Sequence, residues 1–569
     1  MTQIYQKLIR IKDRDYKEWE ISYLNDDDPD KIKNIDPIQN KLFDGDVFYF
    51  ENDVVSFKQS PLRDKKQLCG ILILGQNKTF GKYKNKLLFK CIPFDKNYPM
   101  FLIPYEQKNN FNKNYKNKYV IFKFDNWEQR HPIGKLMNSF GDVDNLNAFY
   151  QYQLNCRDLN ISYKKFMNGT VGIGKRKKGE CVKELLNYYN NIVNLEEEEV
   201  FTIDPEGCLD FDDAVSIQKD KKAKYVLRIY ISNVSLWLDF FQLWGIFSDR
   251  VSTIYFPDKN YPMIPTILSN GLCSLQENQT RIAFVCELHI RKLKIEEIKF
   301  FNAKIRVRKN YTYDDKTLAT DTNYLRLYNL TKNLNEEKDT SYLPFVYDSH
   351  DVVAYLMIMM NHLCACDMGT HKNGIYRSIL MKEESIGTVP EKIRTFISLL
   401  RNSTGSKYVL YNNEIGHAIL NLNEYVQITS PIRRLVDLLN MICFQDNHSI
   451  TKWKHLRDKE NFYNGWLERL DYVNDVMKQI KKAQNDCNAL HICLTSPEIL
   501  ENFYDGYIIE REENKSKDLF QYSVYLNEHK MIVKMKSMEK YEIYSEHKFK
   551  IFVFQDENSL KQKIRVQLF

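Results

Sequence analysis

Cysteine pairs at C-x-x-C spacing are absent from this sequence, although its 569 residues include 12 cysteines. Structural zinc sites of the finger and ribbon type usually carry two ligands at that close spacing, so we expect none here. The scattered positions also do not form the framework of a small secreted disulfide protein. We therefore expect most of the thiols to be buried as small apolar side chains in a reducing compartment.

Long apolar runs are absent as well. No window approaches ~18 uncharged apolar residues, the length that a membrane span requires, so we expect no membrane association. The N-terminal stretch MTQIYQKLIRIKDRDYKEWE carries charges throughout and lacks the apolar region of a secretory signal. These observations predict a soluble intracellular protein, and they do not distinguish the cytoplasm from the nucleus.

The chain has little net charge. Lysine and arginine total 82 against 75 aspartates and glutamates, and the resulting net charge of +7 does not identify a partner. Hydrophobic residues make up 43% and charged residues 28% of the chain, which excludes wholesale disorder. The aromatic share of 13% has two interpretations of equal weight, a compositional bias or rings on which nucleobases stack.

Alternation of apolar and polar residues marks both ends of the chain. Short β-like runs recur at roughly 8–12-residue spacing in the N-terminal part and again near the C-terminus, as is typical of small β barrels. A mixed α/β pattern with long helical segments lies between them, after the charged stretch NLEEEE (194–199), which we interpret as a connector. The predicted divisions are an N-terminal extension at 1–38, barrels at 39–100 and 101–170, a large α/β (α+β) domain at 171–498, and a last barrel at 499–569.

Four aspartates lie close together in FTIDPEGCLDFDDAV (201–215), namely Asp204, Asp210, Asp212 and Asp213. Surface acidic runs usually have polar neighbours, whereas apolar residues frame these acids: Phe201, Ile203, Leu209, Phe211 and Val215. Packing like charges together costs roughly 1 kcal/mol or more per pair. A divalent cation would offset that cost, and carboxylates are ligands that Mg²⁺ prefers.

A solvated turn and a calcium loop fit this acidic cluster less well than a magnesium site. Most acidic clusters are solvated turns, but the apolar frame disfavours that here. A calcium loop that begins at Asp204 would have Leu209 where an EF-hand needs Gly and Val215 where it needs Glu. We therefore favour metal-assisted phosphoryl chemistry, in which one or two Mg²⁺ ions stabilise the attacking water and the leaving oxygen.

A second motif, QITSPIRRLVDLL (427–439), predicts a phosphate-binding helix start. Pro is tolerated in the first turn of a helix, so Ser-Pro favours a helix beginning there. The free N–H groups of that turn, with Arg433 and Arg434 in it, would bind an anion. An N-capped helix whose arginines pair with acids accounts for this stretch equally well.

These motifs resemble those of the ribonuclease II/R family, whose catalytic part is the RNB domain. DPEGCLDFDDA (204–214) and SPIRRLVD (430–437) are similar to its two signatures, and DRVSTIYFPDKNYPMIPTILSNGLCSL (249–275) is similar to a stretch between them. FDNWEQRHPIGKLMNSFGDVDN (124–145) resembles the end of the second cold-shock-like domain in the eukaryotic branch, which includes the catalytic subunit of the exosome. The resemblance implies a multidomain fold in which OB-fold barrels flank the RNB core, two cold-shock-like ones before it and one after it.

The resemblance implies a processive 3′→5′ exoribonuclease that hydrolyses single-stranded RNA to nucleoside 5′-monophosphates. It implies one or two Mg²⁺ ions, which Mn²⁺ can replace, held by Asp204, Asp210, Asp212 and Asp213. Asp212 would be the acid whose loss abolishes chemistry while sparing RNA binding. The remaining residues that the resemblance places at RNA are Tyr255 near the terminal nucleotide, Tyr313 near the terminal bases, Arg433 at the scissile phosphate and Arg434 beside it. We expect a monomer, and association with a larger RNA-processing complex stays open.

The chain also departs from the family pattern. Leu435 stands where the family usually has Tyr, and Ala354 and Tyr355 replace two acids, one of which contacts the terminal nucleotide. The alternative function is therefore a catalytically impaired RNB-fold RNA-binding protein, against which the complete aspartate set counts. A DNA exonuclease is a third candidate, disfavoured because its acids would ordinarily be dispersed over several motifs.

Overall fold

The fold is described from a computed structural model. It covers residues 6–24, 35–51, 54–75, 78–106, 115–219, 224–379, 406–412, 414–514, 519–529, 531–556 and 562–569. The chain divides into two compact units. The first unit comprises Met1–Asn160, Phe256–Asp258 and Lys481–Phe569, and the second comprises Ile161–Tyr255 and Lys259–Ile480.

Two β sheets begin the first unit. One is four-stranded, with the order β2-β1-β3-β4 and the strands β1 (Lys7–Ile11), β2 (Trp19–Tyr23), β3 (Val47–Glu51) and β4 (Val54–Gln59). After the short helix α1 (Pro61–Asp64) comes a six-stranded sheet of order β5-β9-β10-β8-β7-β6. Its strands are β5 (Leu68–Leu72), β6 (Lys82–Tyr83), β7 (Lys86–Pro93), β8 (Phe101–Tyr105), β9 (Lys118–Asn126) and β10 (Ile133–Asp142).

The two sheets share one hydrophobic core, in which Ile9 and Phe48 of the first lie with Phe101 and Phe122 of the second. Helix α2 (Leu146–Cys156) follows the second sheet. The predicted divisions of this region differ from the observed ones. The proposed extension at 1–38 contributes β1 and β2 to the first sheet, and a division at residue 100 would separate β7 from its hydrogen-bonded neighbour β8.

The second unit is built on a closed barrel of order β11-β12-β13-β16-β17. Its strands are β11 (Val193–Asp204), β12 (Asp213–Lys219), β13 (Lys224–Ser232), β16 (Thr280–Arg291) and β17 (Lys294–Thr312). Two further sheets have two strands each: β14 (Ile254–Tyr255) pairs with β15 (Asn260–Tyr261), and β18 (Ile375–Ser378) pairs with β19 (Lys407–Leu410). The NLEEEE stretch, which the sequence suggested as a connector, lies inside β11. Its charges are paired across the barrel, as Glu196 is with Lys304 at 2.6 Å.

The helices described after α2 are α3 (Lys164–Gly174), α4 (Lys178–Tyr188), α5 (Val234–Phe240), α6 (Thr322–Glu336), α7 (Ser349–Thr370), α8 (Leu435–Asn447), α9 (Leu456–Leu467) and α10 (Leu470–Thr495), the last of which continues from the second unit into the first. Helices α6 and α7 pack on the barrel, where Leu327 and Leu356 join Ile203 and Ile229 in one core. The sequence argued against a membrane span, yet α7 is long and apolar enough for one by length and composition. Half of its apolar window is buried within the protein, as in a core helix.

The C-terminal part forms a second closed barrel, of order β20-β21-β22-β24-β23. Its strands are β20 (Phe503–Asn514), β21 (Leu519–Leu526), β22 (Met531–Ser537), β23 (Glu546–Gln555) and β24 (Gln562–Leu568). Alternate residues of these strands, such as Val533 and Phe549, fill its core together with Cys493. The predicted fold class is confirmed: along the chain, β domains precede and follow a core that carries helices.

Candidate active site

The acidic loop, residues 205–212, connects two paired strands of the core barrel. Asp204 is the last residue of β11 and Asp213 the first of β12, and these strands pair in antiparallel fashion with Phe201 opposite Val215. Gly207 has φ +76°, a conformation that favours glycine and lets the loop turn. The hairpin therefore brings the four carboxylates to one end of the barrel.

Ser274 fixes the acidic loop from outside it. Its hydroxyl accepts a hydrogen bond from the Phe211 N–H (3.1 Å) and donates one to the Leu209 carbonyl (2.8 Å). The buried Arg281 in turn donates through Nε to the Ser274 carbonyl at 2.6 Å, and burial lowers the pKa of Arg281 to about 10. Phe201, Ile203 and Val215 are buried, as expected for an apolar frame around the acids. Leu209 is 58% exposed, because the loop turns it outward.

Asp212 is the most deeply buried of the four acids, with 3% of its surface exposed. Its Oδ1 accepts the Ile432 N–H at 2.8 Å, and its Oδ2 lies 3.2 Å from Arg433 Nε, as an ion pair without hydrogen-bond geometry. Burial raises the pKa of Asp212 well above its ordinary value, and the charge of Arg433 opposes that rise. A single guanidinium thus offsets only part of the cost of this buried charge.

The other carboxylates also favour a bound cation. Burial, and then the charge of Asp213, raise the pKa of Asp204, while burial raises the pKa of Asp213. The buried Oδ2 of Asp204, like that of Asp212, accepts no hydrogen bond within the described part of the chain. Carboxylate oxygens that lack a hydrogen-bond donor are available as ligands to a hard divalent cation. Such a cation would also stabilise the ionised form of acids whose pKa is raised by burial. These residues therefore fit Mg²⁺ or Mn²⁺.

The two arginines of the second motif lie before the helix, not in its first turn. Helix α8 begins at Leu435, and the backbone of residues 433 and 434 is held in a bridge to Ser252, whose hydroxyl donates to the Arg433 carbonyl at 2.8 Å. Arg433 Nη2 donates to Ser430 Oγ at 2.9 Å, beside the acids. Arg434 instead donates to the buried Asp437 at 2.7 Å, so its predicted RNA contact stays a prediction.

The two predicted tyrosines flank the acids. The Tyr255 hydroxyl donates to Asp210 Oδ2 at 3.1 Å, and burial followed by the Asp210 charge raises the pKa of Tyr255. Tyr313 follows β17, the parallel neighbour of β11, and its N–H donates to the Asp204 carbonyl at 3.1 Å. Its ring stacks on His350, with 3.7 Å between centroids and 13° between planes. A flat aromatic surface therefore lies at the edge of the acidic site.

The four aspartates, the two arginines and the two tyrosines line a single pocket of about 1010 Å³, which we call the acidic pocket. The sequence-predicted residues in it are Asp204, Asp210, Asp212, Asp213, Tyr255, Tyr313, Arg433 and Arg434. Helix α7 supplies another wall, which combines apolar side chains with polar ones: Val353, Ala354, Met357 and Ile358 with His350, Asp351 and Asn361. Tyr355 is not part of this wall, because it is buried and its hydroxyl donates to the Thr340 carbonyl at 2.9 Å.

Sequence reasoning missed three contributors, namely Ser274, Arg281 and His350. Ser274 lies in the quoted LCSL stretch, so a signal was available without a role for the side chain. Arg281 and His350 belong to no motif. Their functions depend on contacts with residues distant in sequence, which spacing does not reveal.

Comparison with protein-family models gives two matches. Residues 192–446 match the RNB domain, which includes the core barrel, α7 and most of α8. Residues 88–151 match the Dis3-like cold-shock domain 2, which here includes most of β7, all of β8, β9 and β10, and the first half of α2.

Curated relatives include bacterial and eukaryotic proteins. Ribonuclease R of Escherichia coli is 27% identical over 377 residues, 54% of this chain and 46% of the relative. Ribonuclease R of Buchnera aphidicola is 27% identical over 325 residues, 44% of each chain. The mouse exosome complex exonuclease RRP44 is 25% identical over 264 residues, 46% of this chain and 26% of the relative. The matches thus span less than half the length of these relatives, and they do not select the predicted eukaryotic branch.

Two solved structures share the fold. Mycoplasma genitalium RNase R, in complex with ribose-methylated single-stranded RNA, aligns with a TM-score of 0.66 at 17% identity. The alignment covers 99% of this chain and 100% of the Mycoplasma chain. The yeast pseudonuclease Ssd1 aligns with a TM-score of 0.57 at 14% identity and covers 94% of this chain and 78% of its own.

Proposed function

We propose that this chain, whose residues 192–446 match the RNB domain, is a divalent-metal-dependent 3′→5′ exoribonuclease of the ribonuclease II/R family. Its substrate is single-stranded RNA, which it degrades processively to nucleoside 5′-monophosphates. The observation that carries the proposal is the acidic pocket, where four carboxylates, an arginine and two tyrosines meet. The match of residues 88–151 to a Dis3-like domain is the observation that favours the eukaryotic branch of the family.

The four carboxylates are the metal ligands in this proposal. A bound Mg²⁺ ion would polarise the scissile phosphate and lower the pKa of the attacking water. Asp204, Asp210 and Asp213 would hold the ion, and the repulsion among these carboxylates in its absence supports that role. The Ile432 N–H donates to Asp212 Oδ1 and thereby fixes the position of this oxygen within the site.

Arg433 stabilises the phosphate undergoing attack. Its side chain is 41% exposed, and it is anchored by Ser430 Oγ on one side and by Asp212 on the other. A guanidinium held at a fixed place stabilises the charge that develops on a phosphoryl oxygen without reorganising. Arg434 is neutralised by the buried Asp437, so it contributes to this step chiefly by supporting the segment that carries Arg433.

The terminal nucleotide lies between the acids and the aromatic edge of the pocket. Tyr255 is oriented by its hydrogen bond to Asp210, and Tyr313 presents a ring that His350 already backs. Bases stack on such rings whatever their sequence, as an enzyme that removes every nucleotide in turn requires. The α7 wall offers the last nucleotide an apolar surface at Val353, Ala354 and Met357, with Asp351 beside it.

Product analysis tests this proposal. The full chain with Mg²⁺ should release nucleoside 5′-monophosphates from a single-stranded oligoribonucleotide, beginning at the 3′ end. A 5′-labelled RNA should therefore pass from full length to a short end product with few intermediates, and a 3′-phosphate block should slow its decay. Internal cleavage products, or a matched DNA oligomer degraded as fast as RNA, would contradict the proposal.

A catalytically impaired RNA-binding protein is the second candidate. The side chains at 354 and 355 favour it, because Ala354 places no carboxylate at its position in the α7 wall and Tyr355 is turned into the core. A protein of this kind would bind the same oligoribonucleotide tightly and release no mononucleotide at any Mg²⁺ or Mn²⁺ concentration.

A further inference from the structure

A second group of potential metal ligands lies in the core unit outside the acidic pocket. Asp367 occupies the last turn of α7, His371 is the residue that ends that helix, and His448 is the residue that ends α8. Their ligand atoms all lie within 4.8 Å of one another. We propose that this two-histidine cluster, Asp367 with His371 and His448, binds a Zn²⁺ ion that joins the ends of the two helices.

The distances suit a tetrahedral ion. His448 Nε2 lies 2.7 Å from Asp367 Oδ1, and His371 Nδ1 lies 3.6 Å from the same oxygen. Ligands at Zn–N and Zn–O distances of about 2.05 Å are about 3.3 Å apart in a tetrahedron, a value between these two separations. His371 Nδ1 also lies 3.0 Å from the Asp367 carbonyl, to which it donates, so ion binding would require that this nitrogen lose its proton and that the ring turn away from the carbonyl.

The two helix ends are already held together. The side-chain amides of Asn373 and Asn447 exchange a reciprocal pair of hydrogen bonds at 2.6 and 3.0 Å, next to the cluster. An ion that enters between them therefore meets ligands whose backbones are fixed, which reduces the entropy that binding costs. Both histidines are also at helix C-termini, where the helix dipole favours a positive charge.

The charges around Asp367 leave its carboxylate available to a metal. Its ion-pair partners within the described residues are His371 and His448, and no lysine or arginine neutralises it there. Asp367 and His448 also line a surface hollow of about 390 Å³, together with the apolar Ile298, Phe300 and Leu363. That hollow leaves room for water as the fourth ligand.

The ligand set selects the metal. Two imidazoles and one carboxylate suit a borderline ion such as Zn²⁺, whereas Mg²⁺ prefers an all-oxygen set like that of the acidic pocket. Because α7 lines the acidic pocket and α8 begins directly after Arg434, the ion would stabilise two helices that flank that pocket. The zinc site does not depend on the proposed nuclease activity.

Cobalt substitution tests the site on the full chain. Protein stripped with EDTA is saturated with Mg²⁺ to occupy the acidic pocket, and Co²⁺ is then titrated while the visible d–d absorption is followed. The variants are His448→Gln and His371→Gln, and the control is His289→Gln. His289 also pairs with a carboxylate, Glu287 at 2.8 Å, but belongs to no such cluster within the described residues.

The wild type and the His289 variant should bind one equivalent of Co²⁺, which one equivalent of Zn²⁺ displaces. Each cluster variant should bind it about tenfold more weakly or worse. Zn²⁺ should also raise the melting temperature of the wild type and not that of the His448 variant. The proposal is overturned if the wild type shows no d–d bands, if both cluster variants retain them, or if thiolate bands replace them. RNA hydrolysis, measured in parallel, reports separately on the acidic pocket.

Discussion

Replacement of Arg433 by Ala should impair chemistry and also change its pH dependence. The side chain both faces the proposed phosphate position and lies 3.2 Å from Asp212. Loss of one preorganised donor to a developing oxyanion costs about 2.7–4 kcal/mol, or about 10²–10³ in kcat. Arg433→Lys should fall between Ala and the wild type, because it keeps the charge and loses the planar fork.

The magnitude of the pH effect follows from the ion pair. Unit charges 3.2 Å apart attract by about 1.3 kcal/mol in bulk water and about 5 kcal/mol at an effective dielectric constant of about 20. Because Arg433 is 41% exposed, solvent screening places the attraction near the lower figure. Since Arg433 lowers the pKa of Asp212, its removal should move the acid limb of the rate profile to higher pH.

The assay is kcat/KM for mononucleotide release against pH, at one fixed Mg²⁺ concentration for all variants. Arg469→Ala is a matched control, because Arg469 also pairs with an aspartate, Asp249 at 2.7 Å, and does not line the acidic pocket. An acid limb that stays in place for Arg433→Ala, or a loss of rate as large in Arg469→Ala, would refute the reasoning.

Three further perturbations have defined outcomes. The pKa values of Asp204 and Asp212 are raised in the folded chain, so their stabilising contribution is present at low pH and lost as pH rises through those values. The melting temperature of metal-free protein should therefore fall with rising pH and Mg²⁺ should restore it most at high pH; calorimetry that finds no such fall contradicts this. Tyr313→Ala should weaken oligoribonucleotide binding by about 1–3 kcal/mol, as measured by fluorescence anisotropy, and Tyr313→Phe should not. Arg434→Ala should lower the free energy of unfolding by about 3–5 kcal/mol, because it leaves Asp437 buried and unpaired, and an unchanged denaturation midpoint would exclude that role.

The sequence located the acidic pocket because its signals are local. The aspartates between 204 and 213 lie in one hairpin, and their apolar neighbours Phe201 and Val215 marked that hairpin as part of a buried sheet. The parallel pairing of β11 with β17, which places Tyr313 beside Asp204, is a long-range contact that no spacing in the sequence encodes.

Errors in the predicted elements also came from long-range contacts. Ser-Pro predicted a helix with Arg433 and Arg434 in its first turn, but the bridge to Ser252 holds the backbone of Arg434 extended and delays α8 to Leu435. The NLEEEE stretch looked like a solvated connector until the pairing of Glu196 with Lys304 placed it in the barrel. In both cases tertiary pairing overrode a local preference.

The most direct test of the central claim is Asp212→Asn. Asparagine keeps the oxygen that accepts the Ile432 N–H, so the site stays folded while the charge is lost. Asp249→Asn is the control, because Asp249 also pairs with an arginine and lies outside the residues that line the pocket. We predict that Asp212→Asn binds a single-stranded oligoribonucleotide as the wild type does and releases mononucleotides about 10³-fold more slowly or not at all, while Asp249→Asn is fully active. Mononucleotide release by Asp212→Asn at the wild-type rate would contradict the assignment of this pocket as the active site.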